Sequence, residues 1–393
     1  MLIAASIDFF CFLAGLYILR DSGNRLYLYR GFLTRADGGM EGYNVYLKHR
    51  HPIVGWPAPF QFGGEEFDKL GSRRGTVFTD PDRHPACISL YGDSFVYSED
   101  VSFADAWGNV LAKLQNCRVN NFGIAGYGTD QAYLRYLHNK ADRSPIVILG
   151  IYSDNIRRNV NQFRYFYVPH TGIRFSFKPR FILSESGLSL IPLPTIDPAN
   201  LDDFSKNPET YLKHEFYIPD GLLRTKFKFP YSFALTRAAF RSYQRNSIFP
   251  LDQFYRDGHP SKGLDITAEL AKQFVKTAVS RGQRPIVLVI PTYKGLRKYQ
   301  EAGFWKYQRL LDRLATVENM DVLNSGEALI DALEGETPKQ LFTDREKGRG
   351  HFNPSGYRLL ATIVRDHINQ KCREVRMEDE SWRCGAKVTR DGY

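Results

Sequence analysis

The sequence predicts a three-layer α/β/α fold in which a mainly parallel sheet lies between two layers of helices. Three short apolar runs at 86–91, 118–122 and 145–151 are predicted as strands, and helical stretches at 103–114 and 130–137 separate them. Strands that alternate with helices pair in parallel, because each helix carries the chain back to the starting edge of the sheet. The alternation therefore predicts an α/β domain.

The same alternation resumes in the last third of the chain. The sequence predicts, in order, a helix at 266–280, a strand at 285–291, a helix at 304–317, a short strand at 320–323 and a last helix at 354–368. We expect these elements to complete one domain over 81–369.

Residues 160–262 interrupt the alternation and are predicted to be an insertion. Five prolines between 169 and 198 disfavour long helices and central strands there. The runs 175–183 and 188–193 flank a Ser-Glu-Ser-Gly turn and predict a β-hairpin, and 231–243 predicts a helix. We expect the insertion to cover or border the functional site.

The segments before and after the predicted domain differ from it in composition. Residues 20–80 are rich in Gly, Arg and Tyr and contain proline breakers, so they predict an N-terminal arm with short strands. Residues 370–393 predict a polar, loosely held C-terminal tail.

Residues 1–19 are the one membrane signal in the sequence, and Ser6 and Asp8 are their main polar interruptions. A secretory signal peptide is not indicated, because a positive n-region and a small-residue cleavage site are missing. Two interpretations stay open: a membrane anchor with Asp8 near the bilayer centre, or an apolar helix packed on the domain or lying at the membrane surface. Arginines follow at 20, 25, 30 and 35. A spanning segment would therefore leave the body of the protein cytoplasmic, so we predict a cytoplasmic or cytoplasmic-side, membrane-associated protein.

The charge balance favours anionic partners without choosing among them. The 393 residues contain 53 Lys and Arg against 43 Asp and Glu, a net charge of +10. Acidic glycans, anionic lipid headgroups and nucleic acid would all be attracted. A dense basic stripe, zinc-finger spacing and an RNP-like motif are missing from the sequence, so nucleic acid is not expected as a partner. The oligomeric state stays open.

The five cysteines do not form a metal or redox motif, because no Cys-x-x-Cys occurs. Cys87 and Cys117 lie in or beside predicted buried strands, where a free thiol behaves as a small apolar side chain. Only Cys372 and Cys384, in the polar tail, are candidates for a disulfide.

Two motifs follow the first two predicted strands. Gly92-Asp93-Ser94 comes directly after the first strand, and the glycines of 121–128, including Gly126, follow the second. Ligands of open α/β sheets bind at the carboxyl ends of the strands, so this serine would face the site. Glycine N–H groups can bind an oxyanion, although the same glycines also suit a tight turn.

Two further motifs follow the third strand and precede the last helix. Asn155, in Ser-Asp-Asn, has an amide that can donate to an oxyanion, or it caps a helix. His351, in Gly-His-Phe-Asn-Pro-Ser-Gly, can act as the base that a nucleophilic serine needs, or it is only a residue of the helix start.

In order and spacing, these four blocks resemble the SGNH (GDSL-type) hydrolase superfamily, whose blocks contribute Ser, Gly, Asn and His. The resemblance covers 85–160 and 264–368. It implies that Ser94 is the nucleophile and His351 the general base. It also implies an oxyanion hole formed by the backbone N–H groups of Ser94 and Gly126 and the side chain of Asn155.

The sequence departs from the family pattern at two places. Ser153 replaces the usual Gly of the third block, and Gly348 stands where the fourth block usually has Asp three residues before His. Asp344 or Glu346 is a candidate to orient His351, and a Ser-His dyad assisted by a backbone carbonyl is equally open.

The resemblance predicts a flavodoxin-like domain that hydrolyses carboxyl esters through an acyl-enzyme on Ser94, without a metal or another cofactor. The expected substrate is a small-molecule or glycan ester, and O-acetyl groups on carbohydrate are a frequent target in the superfamily. Two alternatives stay open: a polysaccharide O-acetyltransferase, and a non-catalytic glycan-binding protein on the same fold.

Overall fold

The structure is a computed structural model that describes residues 2–20, 28–29, 39–167, 175–185, 187–218, 225–248, 250–344 and 349–378. The chain divides into two compact units. One, here the sheet unit, comprises Pro57–Ile156 and Asp265–Tyr393, and the other, here the insertion unit, comprises Met1–Trp56 and Arg157–Leu264.

The strands of the described residues are Leu28–Tyr29 (β1), Ala86–Tyr91 (β2), Arg118–Asn121 (β3), Ile146–Tyr152 (β4), Arg180–Ser184 (β5), Gly187–Ile191 (β6), Thr225–Lys226 (β7), Arg284–Ile290 (β8), Val322–Asn324 (β9), Phe342–Asp344 (β10) and Arg349–Phe352 (β11). The helices are Leu2–Arg20 (α1), Gly39–His49 (α2), Ser94–Tyr97 (α3), Trp107–Gln115 (α4), Thr129–His138 (α5), Asn155–Arg158 (α6), Arg164–Tyr167 (α7), Leu201–Lys206 (α8), Tyr231–Ile248 (α9), Leu251–Phe254 (α10), Gly263–Ser280 (α11), Tyr293–Ala302 (α12), Gln308–Ala315 (α13), Ser325–Asp331 (α14) and Pro354–Glu378 (α15).

The sheet unit contains a five-stranded parallel sheet in the order β3-β2-β4-β8-β9. Most residues of β2, β4 and β8 are buried, as expected for strands that helices cover on both faces. The three-layer α/β/α prediction is therefore confirmed. Helices α12 and α14, which the sequence analysis did not predict, lie between β8 and β10 in the chain.

The insertion unit contains the predicted β-hairpin, formed by β5 and β6 in antiparallel register. The first strand begins at Arg180, later than the predicted 175, because Phe175 and Phe177 belong to a buried aromatic cluster. The ring of Phe177 stacks on that of Phe163 at 4.4 Å and meets that of Phe204 at 5.5 Å. Whether the insertion borders the site stays a prediction.

Two segments outside the predicted domain are more helical than expected. Residues 39–49 form α2 in place of an extended arm, because Tyr43 and Tyr46 are buried against aromatic residues distant in sequence, including Phe175. The hydroxyl of Tyr43 donates to the carbonyl of Ile196 at 2.6 Å. The last helix, α15, continues to Glu378, which is well into the predicted tail. The rest of the tail lies outside the described residues.

The prediction of free thiols at Cys87 and Cys117 is wrong, because these residues form a disulfide with 6.1 Å between their Cα atoms. Cys87 lies in β2 and Cys117 immediately precedes β3, which is the neighbour of β2 in the sheet. Cys11 is a free thiol, and Cys372 is disulfide-bonded. Cys384, the predicted partner of Cys372, lies outside the described residues.

Candidate active site

Three of the four predicted blocks meet at the carboxyl edge of the sheet. Strand β2 lies between β3 and β4, and all three run in parallel. Ser94 therefore follows the middle one of these three strands, with the loop of Gly126 on one side and Asn155 on the other. This edge is where ligands of open α/β sheets bind.

Ser94 is the first residue of α3, which begins directly after the turn that follows β2. Asp93 caps this helix, since its carboxylate accepts a hydrogen bond from the N–H of Phe95 at 2.9 Å. The helix packs so closely on the neighbouring loop that a Cβ on Gly123 would lie 2.4 Å from the nitrogen of Tyr97. Glycine is thus required there by close approach, and it lets α3 present Ser94 at the strand end.

The imidazole of His351 joins Ser94 to a carboxylate. Its Nε2 lies 2.9 Å from Oγ of Ser94, and its Nδ1 lies 2.8 Å from Oδ2 of Asp100. The histidine is in β11, which pairs with β10 in antiparallel register, and its ring packs on Phe95 with 5.0 Å between ring centroids. Ser94, His351 and Asp100 have the relative arrangement of a serine hydrolase triad.

The carboxylate at Nδ1 of His351 is Asp100, in place of the predicted candidate Asp344. Asp344 lies in β10, and the other candidate, Glu346, lies outside the described residues. Asp100 belongs to residues 97–101, here the acid segment, which comprises the last residue of α3 and the turn after it. Both Ser98 and Asp100 have a left-handed backbone, with φ of 68° each. This conformation is uncommon outside glycine and is tolerated best by Asp and Asn, so the sharp turn brings Asp100 back towards the nucleophile.

A buried arginine, which the sequence analysis did not single out, holds the acid segment in place. The guanidinium of Arg73 donates to the carbonyl oxygens of Tyr97, of Ser98 at 2.8 Å and of Val101 at 3.2 Å. Burial lowers the pKa of this guanidinium. The N–H of Trp107 donates to Oγ of Ser98 at 3.1 Å. These bonds fix the backbone on both sides of Asp100.

A second carboxylate also reaches the histidine. Oε2 of Glu99 lies 3.3 Å from Nε2 of His351, on the side that faces Ser94. Glu99 and Asp100 line a cavity of about 430 Å³, here the triad cavity. Its other lining residues include Glu66, Phe67, Tyr97 and Ile124. The triad therefore adjoins a space that a substrate can occupy.

Asn155 has an unusual hydrogen-bonding state. Its side chain is fully buried, and neither Nδ2 nor Oδ1 has a hydrogen-bond partner within the described part of the chain. Buried amides are nearly always paired, so an unpaired one at a strand end is consistent with a donor kept for a ligand. Gly126, on the other side of β2, has a φ of 84°, which favours glycine.

The family departure at Ser153 has a structural explanation. Its Oγ accepts a hydrogen bond from the N–H of Thr292 at 3.0 Å, and its own N–H donates to the carbonyl of Ile290 at 2.8 Å. The serine thus joins the ends of β4 and β8, two residues before Asn155. Among the residues that the structure covers, no group of three His, Cys, Asp or Glu side chains is arranged to hold a metal ion.

Comparisons with known proteins add little about chemistry. No protein-family model and no curated protein sequence matches the chain. Among solved structures, a chain from Desulfitobacterium hafniense, assigned to a G-D-S-L family of lipolytic proteins, has 13% sequence identity and a TM-score of 0.37. The match covers 71% of this chain and 98% of the other. A similarity this low supports no functional argument, so function is argued from the site residues.

Proposed function

We propose that this protein is a serine esterase of the SGNH type that hydrolyses carboxyl esters through an acyl-enzyme on Ser94. The observation that carries the proposal is the hydrogen-bonded series from Oγ of Ser94 through His351 to the carboxylate of Asp100. Such a series activates a hydroxyl that is otherwise a weak nucleophile.

The proposed reaction follows from the positions of these groups. Nε2 of His351 takes the proton of Ser94 as Oγ bonds to the ester carbonyl carbon, and Asp100 stabilises the resulting imidazolium. The oxyanion accepts hydrogen bonds from the N–H groups of Ser94 and Gly126 and from Nδ2 of Asn155. When the ester C–O bond breaks, the imidazolium protonates the leaving alcohol. Water then attacks the acyl-enzyme, with the same imidazole as base, and the carboxylic acid is released.

The triad cavity supports an acetylated carbohydrate as the substrate. Glu99, which lines the cavity, has its carboxylate beside the nitrogen that would protonate the leaving alcohol. Its wall includes the rings of Phe67 and Tyr97, and the carboxylates of Glu66 and Glu99 can accept hydrogen bonds from sugar hydroxyls. Aromatic surface combined with carboxylate acceptors suits a polyhydroxylated alcohol, with the acetyl group at Ser94.

The two alternatives differ in their support. The non-catalytic alternative rested on the missing Asp at position 348, and Asp100 supplies a carboxylate to His351 without it. A transferase would form the same acyl-enzyme and pass the acyl group to a sugar hydroxyl in place of water. Incubation with a labelled acetyl donor, with and without a sugar acceptor, distinguishes the two by released acetate or acetylated sugar.

Covalent labelling tests the proposal before any substrate is known. We expect a fluorophosphonate probe to modify the full-length protein at Ser94, as mapped by mass spectrometry, and expect both Ser94→Ala and His351→Ala to abolish labelling. Ser102→Ala removes an exposed hydroxyl nearby and serves as the matched control with full labelling. A folded protein that takes up no probe, or labelling that persists in Ser94→Ala, would overturn the proposal.

A further inference from the structure

Helix α9 in the insertion unit packs Tyr231 and Leu235 inward but exposes aromatic side chains that a water-soluble protein usually buries. Phe233, Phe240 and Tyr243 lie on one stripe and are 62% to 78% exposed. The small side chains of Ala234 and Ala238, one turn apart, are buried. A helix packed on a soluble core buries its large apolar residues and exposes polar ones. Small residues inside and aromatic residues outside are typical of helices that pack within or against a membrane.

Helix α1, which packs against α9, partly buries Phe12, Ile18 and Leu19 in this contact but exposes other large apolar side chains. Ile3, Phe10 and Tyr17 recur every seven residues and are 68% to 79% exposed. Gly15 lies so close to the segment between β7 and α9 that a Cβ there would be 2.1 Å from the ring of Phe227. The span Ile3–Arg20 has a mean hydropathy of 1.7, and only 6% of it is buried. The two helices, here the apolar helix pair, therefore expose apolar surface on both members.

The one acidic residue of α1 is turned inward. Oδ1 of Asp8 accepts hydrogen bonds from both the N–H and Oγ of Ser232, each at 2.8 Å, and the residue is 9% exposed. Ionisable groups in membrane segments almost always face the interior of a helix bundle and find a partner there. Because Ser232 of α9 pairs with Asp8, this carboxylate does not prevent residues 1–19 from contacting a membrane.

We propose that the apolar helix pair is a membrane-contacting surface that binds a bilayer containing anionic lipids. The proposal extends the predicted contact of 1–19 to α9 and does not depend on the esterase proposal. The two helices also carry exposed cations, namely Arg20 at the end of α1 and Arg237 on α9. These positive charges complement anionic lipid headgroups. Since arginines interrupt α9, this helix lies at the interface and does not span.

Vesicle flotation of the full-length protein tests the proposal. We expect binding to vesicles of phosphatidylcholine mixed equally with phosphatidylglycerol, and weaker binding to phosphatidylcholine alone. The combined variant Phe233→Ser, Phe240→Ser and Tyr243→Ser should bind at least about tenfold more weakly, because it removes apolar area that enters the lipid. Val279→Ser with Phe304→Ser is the control, since it removes two exposed apolar side chains of the sheet unit and should bind like wild type.

A second readout covers the case in which the triple variant does not fold. In a Cys11→Ser background, an environment-sensitive dye on Phe240→Cys should shift its emission to the blue when the mixed vesicles are added. The same dye on Phe304→Cys should not respond. Unchanged binding by the folded triple variant, or an unresponsive dye at 240, would overturn the proposal. A wild-type protein that does not bind vesicles and forms a dimer would also overturn the proposal, because a second copy of the chain would then cover the apolar helix pair.

Discussion

Asp100 contacts His351 at Nδ1, the ring nitrogen that faces away from Ser94, and its carboxylate should govern the rate. Asp100→Asn keeps the size of the side chain but removes the charge that holds the imidazole tautomer. We expect kcat for an acetyl ester to fall by about 10³- to 10⁴-fold. Asp344→Asn is the matched control and should change kcat by less than about threefold, within the usual range for a residue outside the triad. A larger loss in Asp344→Asn than in Asp100→Asn would contradict the assignment of the acid.

The unpaired amide of Asn155 should matter for rate and not for stability. We expect Asn155→Ala to lower kcat by about 10²- to 10³-fold, as loss of an oxyanion donor does. Its melting temperature should not fall through lost hydrogen bonds, because the amide has no partner among the described residues. Asn121 is the contrasting buried amide: it donates to the carbonyl of Val96 at 2.7 Å and accepts from the N–H of Gly123 at 3.0 Å.

Asn121→Ala should therefore lower the melting temperature, since it leaves two buried backbone groups unpaired. Thermal unfolding of both variants, followed by circular dichroism beside the kcat measurement, makes the comparison. Equal destabilisation by the two substitutions would contradict the assignment of Asn155 as a reserved donor.

At the scale of elements, the disulfide ties the start of β2 to the start of β3, at the end of these strands opposite to the edge that carries Ser94. Cys87 and Cys117 are separated by 30 residues. Because the disulfide restricts the unfolded chain to a closed loop of this length, it adds about 3.5 kcal/mol to the free energy of unfolding. We expect Cys87→Ala with Cys117→Ala to lower the free energy of unfolding by about this amount in urea titrations. Cys11→Ala, at the free thiol, is the control.

Wild-type protein in reducing agent should approach the double variant in stability, and the double variant should not respond to the reagent. An unfolding midpoint of the wild type that is insensitive to reduction would contradict the prediction.

Stable disulfides are rare in the cytoplasm. The pair thus favours an oxidising compartment over the cytoplasmic location predicted from the sequence.

The elements differ in how far the sequence could predict them. Strands β2 and β4 were predicted to within one residue, because a parallel strand buried on both faces is a continuous apolar run. Helix α2 was missed, because it is stabilised by tyrosines that pack on aromatic residues more than a hundred positions away. A local pattern does not contain such a partner.

In the candidate active site, too, some residues could be predicted from the sequence and others could not. Ser94, Gly126, Asn155 and His351 each follow a strand or precede a helix, so their place in the fold could be predicted from local patterns. Asp100 could not, because it is 251 residues from His351 in sequence and meets it only through the turn after α3. Arg73, which fixes that turn, binds backbone carbonyls and forms no motif.

At the scale of the whole molecule, overall charge and local charge oppose each other. The net charge of +10 attracts anions from a distance. The triad cavity, however, is lined by the carboxylates of Glu66, Glu99 and Asp100 against one guanidinium, that of Arg73. Both terminal nitrogens of that guanidinium already donate to backbone carbonyls. Salt screens the distant field beyond about 8 Å under physiological conditions, so the cavity should decide substrate preference.

We therefore expect neutral acetyl esters to react faster than anionic ones, despite the basic chain. Methyl acetoxyacetate and acetoxyacetate form the pair to compare. For acetate release, kcat/KM should favour the neutral ester by about tenfold or more, because like charges about 4 Å apart repel by about 1 kcal/mol in water and about 4 kcal/mol near a protein surface. Glu66→Gln should narrow this ratio, because it removes a negative charge from the cavity wall. Glu65→Gln makes the same charge change at an exposed neighbour outside the lining and should leave the ratio unchanged. If the anionic ester is preferred, or if both variants shift the ratio equally, the field of the whole molecule selects the substrate and the cavity does not.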